Sequence, residues 1–244
     1  MSKTEQSTLN ELKSQGTEPS SEGFLLIDKP TGMTSHDVVD RIRRFTGIRK
    51  VGHAGTLDPF ATGLLIVGVG RAATKEMQRL VGLDKRYEAQ IVLGMKSDTD
   101  DRDGVIVAAP ITTPFTKDAL KPFVGEIEQV PPSYSAIKIG GKKMYEEARK
   151  GNPLKAEARQ ITIYSIDILS ESPVLSLAIH SSSGTYIRSI AHDLGESLGG
   201  SGYVQELRRT SIGPFSIEES NPLETLKTNV EEALISVLDL LNRL

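Results

Sequence analysis

The sequence predicts an α+β fold: a long, mixed, mainly antiparallel sheet with flanking helices. Helical and extended patterns alternate along the chain, as in layered αβ architectures. Turns such as 98–104 are too short for the crossover that joins parallel strands, so much of the pairing must be antiparallel. Segments such as Leu175, Leu177 and Ile179 alternate apolar and polar residues, the pattern of a sheet with one face on the core.

With 244 residues, 38% hydrophobic and 25% charged, the chain has globular composition and enough length for a sizeable core. It contains no Cys, which excludes disulfides and thiolate metal sites and suits a reducing compartment. Its first residues lack the apolar core of a secretory signal, and no apolar run approaches the ~18 residues of a membrane span. A soluble, cytoplasmic protein without membrane contact is therefore expected.

The formal charge of -3 argues against a nucleic-acid partner only until its distribution is considered. Residues 1–22 hold 2 basic and 4 acidic groups, residues 218–244 hold 2 and 6, and the body, 23–217, holds 25 and 22. Basic residues cluster at Arg41, Arg43, Arg44, Arg49 and Lys50, at Lys138, Lys142 and Lys143, at Arg149, Lys150, Lys155 and Arg159, and at Arg208 and Arg209. Each cluster alone reads equally as a solvated face. Brought together by the fold, they would form a phosphate-binding surface.

Residues 1–22 are polar and read as a disordered tail. Phe24–Ile27 is a short strand followed by a turn at Pro30-Thr-Gly-Met. Thr34 and Asp37 form a capping box for a helix striped by Val38, Val39, Ile42 and Phe45. Leu64–Val69 reads as a buried strand, Ala72–Val81 as a helix and Tyr87–Leu93 as an alternating strand. The acidic segment 98–104 lacks calcium-loop spacing and is expected to be a solvated hairpin turn. Val105–Val107 returns as a strand, Thr116–Phe123 is helical and Gly125–Val130 extended. A basic helix is expected from about Lys142 to Lys150. The strand Arg159–Leu169 changes apolar phase between Ile163 and Ile166, which requires a bulge. A helix to about Leu198 buries Ile190, Ala191 and Leu194, Tyr203–Arg209 is extended, and Val230–Leu244 reads as one amphipathic helix.

One stretch concentrates chemistry: Val51-Gly-His-Ala-Gly-Thr-Leu-Asp-Pro-Phe-Ala-Thr-Gly-Leu-Leu65. Pro59 drives the residue before it out of the helical region, so Asp58 sits on extended backbone at a loop mouth. Asp58 as N-cap of a helix at Pro59 is the competing reading, but only Pro59–Thr62 would be left for that helix. Gly52 and Gly55 beside His53 permit close backbone approach beyond what a cap needs.

This stretch resembles the catalytic motif of the TruB-type tRNA pseudouridine synthases, through His53, Gly55, Leu57-Asp58-Pro59, Ala61 and Gly63. Further resemblances follow in the family's order at Asp28–Ser35, Lys85–Glu88, Pro131–Lys138, Gly184–Arg188 and Leu207–Arg209, together covering about Gly23 to Ser216. The resemblance implies the pseudouridine synthase fold with a central active-site cleft, in a catalytic domain over 23–217. It also implies that the small RNA-binding PUA domain of many relatives is missing, because only a helical extension, 218–244, remains.

The residues themselves disfavour metals, since His36, His53, His180 and His192 lack ligand spacing and Cys partners. No Gly-x-Ser-x-Gly elbow is present, and no cofactor motif is evident. Tyr87 and Tyr186 read either as core or as platforms for a base taken out of an RNA loop. If extended, Arg188 shares a face with Tyr186 and could hold Asp58 ionised, as a nucleophile requires; a structural salt bridge is the competing account.

By resemblance, Asp58 is the catalytic aspartate, attacking ribose or base, Tyr87 stacks on the base and helps move its carbon-5 proton, and Arg188 partners the acid. Tyr186 and Leu207 are pocket residues, His53 fills the space the base vacates, and Lys29 and Pro30 support the site. The implied reaction converts uridine 55 in the tRNA T loop to pseudouridine without cofactor or obligate protein partner. The alternatives are a guide-RNA-dependent synthase subunit and a non-catalytic tRNA-binding or folding module. A hydrolytic glycosidase would need a second carboxylate that does not stand out.

Overall fold

The computed structural model describes residues 22–244, so the expected tail lies almost wholly outside the described residues. The strands are β1 (Gly23–Lys29), β2 (Val51–His53), β3 (Thr62–Val69), β4 (Lys85–Leu93), β5 (Met95–Ser97), β6 (Ile106–Ala108), β7 (Gly125–Gln129), β8 (Lys138–Ile139), β9 (Lys142–Lys143), β10 (Arg159–Ser170), β11 (Leu175–Ser181), β12 (Gly202–Ile212), β13 (Phe215–Ser216) and β14 (Asn221–Pro222). The helices are α1 (Ser35–Thr46), α2 (Gly70–Val81), α3 (Met144–Arg149), α4 (Ile187–Ser197), α5 (Leu226–Asn229) and α6 (Val237–Leu241).

The main sheet runs β14-β1-β3-β12-β4-β11-β10-β7, with β2 on β3 and β13 on β12. Among the described strands only β1–β14 and β12–β3 pair parallel, so the sheet is mixed and mainly antiparallel, as the sequence predicts. Its two ends are covered differently, and the sequence patterns follow. Around β1 and β3 both faces are buried: Leu25, Ile27, Leu65 and Val67 pack with Val38, Val39 and Ile42 of α1, while Phe24, Leu26, Leu64 and Ile66 pack with Ala73 and Leu80 of α2. A strand covered on both faces needs a continuous apolar run, which Leu64–Val69 supplies. In β4 and β11 one face is covered: Tyr87, Ala89, Ile91, Leu177 and Ile179 join Ile190, Ala191 and Leu194 of α4, while Arg86 and Glu88 are exposed.

The two regimes meet at a narrow seam. Strands β12 and β3 share only the pairs Arg208↔Thr62 and Arg209↔Gly63. Gly63 has φ +104°, and a Cβ there would lie 2.3 Å from the Arg209 carbonyl oxygen. Glycine is therefore required both by backbone conformation and by space.

Several elements match their expected form. Thr34 and Asp37 form the capping box of α1. The phase change in β10 is a register shift between Ile163 and Ser165.

Others differ. The basic helix is only α3, because Gly140 (φ +57°) and Gly141 (φ +81°) turn the chain into a β8–β9 hairpin that takes up Lys142 and Lys143; a Gly-Gly pair with positive φ is what a tight hairpin turn demands. Lys117–Phe123 is a 3-10 helix with Pro122 inside it. The C-terminal stretch is not one helix. Ile235 exchanges two 2.8 Å backbone hydrogen bonds with Phe24, which holds that residue extended against β1, and Ser236 then caps the short α6. No helix among the described residues is long and apolar enough to cross a membrane.

Gly63→Ala combines positive-φ strain with overpacking at the seam and is expected to cost about 3 kcal/mol or more in urea unfolding; a loss below about 1 kcal/mol would show that the seam can relax.

Candidate active site

A cavity of about 260 Å³ opens where the seam meets the start of α4. Asp58, Tyr87, Tyr186, Arg188 and Leu207 all line it, and the Asp58 carboxylate is 31% exposed. Asp58 caps no helix. Its backbone carbonyl accepts from Ala61 N–H at 3.1 Å, and its carboxylate accepts from Arg188 Nε at 2.9 Å.

Arg188 is 2% exposed and joins three segments. Besides Asp58, it donates from Nη1 to the Thr99 carbonyl and from Nη2 to the Tyr134 carbonyl, each at 2.9 Å. A buried guanidinium is tolerable when its donors are filled in this way. The condition of an extended Arg188 is not met: Tyr186 is extended at the N-cap of α4, and Arg188 lies in the first turn. The reach to Asp58 survives because the helix start points the side chain across the cavity mouth.

The acidic segment 98–104 is likewise more than a solvated turn. Asp101 is 6% exposed, with its carboxylate 3.7 Å from Arg188 Nε, and burial raises its pKa against the opposing hydrogen bond from Thr99. His192 Nδ1 lies 3.1 Å from Asp100 and anchors the same segment, while its Nε2 lies 3.2 Å from Glu196. Both ring nitrogens of the histidine nearest an acid cluster are thus engaged within the protein.

The Asp58 loop is clamped from below by the Asp28–Ser35 segment. Ser35 Oγ accepts from Leu57 N–H at 2.8 Å and donates to the Leu57 carbonyl at 3.1 Å. Thr31 Oγ1 donates to the Phe60 carbonyl, and Gly32 N–H to that of Pro59. Lys29 is fully buried and its ammonium donates to the carbonyls of Pro30, Met33 and, at 3.4 Å, Pro59. Burial lowers its pKa to about 8, against the pull of Asp58. The Pro30 ring is exposed, and its carbonyl serves this clamp.

His53 lies on β2, outside the cavity lining. Its Nδ1 is buried without a hydrogen-bond partner, and burial lowers its pKa.

Two cations were misplaced or overlooked in the sequence. Arg209, grouped with the surface clusters, is 1% exposed and donates to the carbonyls of Gly55, Thr56 and Leu64. Burial lowers its pKa, and the Tyr87 hydroxyl is among its neighbours. The period-two rule carried the signal, because Leu207 and Arg209 must share a face. Lys85, also in the lining, is held by the carbonyls of Val81 and Leu83 at the end of α2, and burial lowers its pKa to about 8.

The site thus pairs one accessible carboxylate with a fixed guanidinium, beside two tyrosines, in a space on the scale of one nucleoside. The fold that carries this site is that of the pseudouridine synthases. Among solved structures, a Cbf5-Nop10-Gar1 complex matches with TM-score 0.70 and 29% identity over 91% of this chain. An H/ACA RNP bound to a substrate RNA containing 2′-deoxyuridine matches with TM-score 0.64 and 29% identity over 87%. This chain covers 62% and 54% of those chains, respectively.

The description "TruB family pseudouridylate synthase (N terminal domain)" matches residues 43–187, and "tRNA pseudouridylate synthase B C-terminal domain" matches 188–241. The tRNA pseudouridine synthase B of Arthrobacter sp. (strain FB24) is 44% identical over 86% of this chain and 72% of its own. That of Mycobacterium sp. (strain KMS) is 46% identical over 84% and 71%. The chain belongs to the TruB family of pseudouridylate synthases.

Lys29 gives the clamp a pH signature. The unfolded chain keeps this proton to near 10.5, whereas the folded protein releases it at about 8. Between those values the unfolded state binds more protons, so unfolding free energy rises with pH. Comparing urea unfolding near pH 7.5 and pH 9.5, wild type should gain up to ~2 kcal/mol on Lys29→Met; equal slopes would contradict the burial of a charged Lys29.

Proposed function

We propose that the protein is a tRNA pseudouridine synthase that isomerises uridine 55 of the T loop. The observation that carries this reading is the Asp58–Arg188 pair at the mouth of a nucleoside-sized cavity in a TruB-family chain. A uridine inside a folded loop must leave its stack before its glycosidic bond can be reached. Tyr87, mostly buried at the cavity wall, offers its ring to the extruded base, and Tyr186 and Leu207 bound the same space.

Asp58 then attacks, at the ribose or at the base, while the C–N bond breaks. The uracil turns within the pocket, carbon 5 bonds to C1′ of the ribose, the bond to Asp58 breaks to release the carboxylate, and the proton lost from carbon 5, with Tyr87 placed to assist, is balanced by one gained at N1. Atoms and electrons balance between uridine and pseudouridine, so the reaction calls for neither oxidant nor energy donor. Arg188 orients the carboxylate for this step through its 2.9 Å hydrogen bond. Lys29 and the Pro30 carbonyl act beneath the loop as positioning groups, and His53 is assigned the space the base vacates in the RNA. The catalytic unit spans 23–217, and a tRNA substrate places its action in the cytoplasm.

Incubation of the protein alone with unmodified tRNA or a T-arm hairpin should yield pseudouridine without added metal or guide RNA. Asp58→Asn should lower the single-turnover rate by at least about 10³-fold while RNA binding persists. Free uracil as product would indicate hydrolysis, and a requirement for a guide would move the protein to the guide-dependent class.

Binding should also weaken steeply between 50 and 200 mM salt, because each phosphate contact contributes a slope of about −0.7 to −0.9 in log K against log salt; a flat response would remove the basic surface from the account.

A further inference from the structure

Four cations, Lys85, Arg159, Arg188 and Arg209, line the cavity around the single carboxylate of Asp58. Three are occupied by the protein itself. Arg188 holds Asp58 and two carbonyls, Arg209 holds three carbonyls, and Lys85 holds two. Arg159 differs. Half-buried at the first position of β10, it forms no ion pair among the described residues and hydrogen-bonds the protein through Nη2 alone, to the Gly184 carbonyl. Its Nε is shielded from water without any partner.

The Arg159 guanidinium is nevertheless packed against a ring. It lies 4.8 Å from the centroid of the Tyr186 ring. Its register partner across β7–β10, Gln129, is 1% exposed and clamps the Tyr186 backbone from both directions, donating to its carbonyl at 2.9 Å and accepting from its N–H at 2.8 Å. Neighbouring residues on two strands therefore meet one tyrosine, Gln129 at its backbone and Arg159 at its ring. An arginine packed on a ring, with spare donors and no counter-ion among the described residues, is arranged for an anion from outside the chain.

The cavity takes one nucleoside, so the phosphodiesters that tie that nucleoside to its neighbours must lie at its rim, within reach of a half-buried lining residue such as Arg159. Building on the reading of this cavity as the seat of an extruded uridine, we propose that Arg159 binds a phosphodiester flanking that uridine. It is a substrate-binding residue that fixes the entry of the RNA strand relative to Asp58.

The test is a cycle between protein and RNA. T-arm hairpins carrying a neutral methylphosphonate immediately 5′ or immediately 3′ of the target uridine are bound to wild type, Arg159→Gln and Arg159→Lys. At one of the two positions, neutralisation should weaken wild-type binding about tenfold, the size of a typical pairwise coupling. Arg159→Gln should bind unmodified RNA about tenfold more weakly and lose nothing further at that position, with a salt slope smaller by about 0.7. Arg159→Lys, which keeps the charge and serves if the Gln variant does not fold, should keep the sensitivity to neutralisation. Additive losses at both positions, or unchanged binding by Arg159→Gln, overturn the proposal. The parent reading fails separately, if wild type binds the unmodified hairpin but forms no pseudouridine.

Discussion

The site depends on one buried guanidinium. Among the described residues, Arg188 alone hydrogen-bonds to the Asp58 loop, the acidic segment at Thr99 and the loop at Tyr134 at once. These segments are separated by dozens of residues and share no sheet pairing with one another. Withdrawing that cation from water is costly and becomes acceptable only when all three loops arrive with their oxygens. The requirement works in both directions: the loops hold the charge in place, and the charge selects the one loop arrangement that leaves the Asp58 carboxylate facing the cavity.

A second constraint places that carboxylate relative to the sheet. Where the two-sided region around β3 meets the one-sided region around β4, backbone from Gly63 and Arg209 comes into contact without room for a side chain. Arg209 then turns its own charge inward to bind carbonyls on both sides of the Asp58 loop. Lys29 does the same from below. Three buried cations thus direct most of their hydrogen bonds to backbone oxygens, which braces the loop without adding another carboxylate that would compete with Asp58. Asp101 is the exception, and its burial disfavours a second charge there.

Much of this was legible in the chain, for identifiable reasons. Pro59 and the short interval to Gly63 excluded a helix and left Asp58 in a loop. The continuous run Leu64–Val69 announced a strand covered on both faces, and alternation in β4 and β11 announced strands covered on one. What was missed depended on contacts between distant segments. Nothing in the sequence near Asp101 says that it will be buried beside Arg188, because the acids around it look solvated. The sequence leaves open whether Arg188 is extended or helical, since the helix begins after extended residues and without a capping side chain. The C-terminal stretch has helical spacing, yet pairing with the free edge of β1 outweighs a propensity that supplies only marginal stability.

The central claim is that Asp58 and Arg188 function as one unit. Its most direct test is a double-mutant cycle on the single-turnover rate of pseudouridine formation, using Asp58→Asn, Arg188→Met and the pair. If the two act as a unit, each single variant and the double variant should fall to nearly the same rate, within about threefold. An Arg188→Met enzyme that keeps a rate close to wild type would contradict the account.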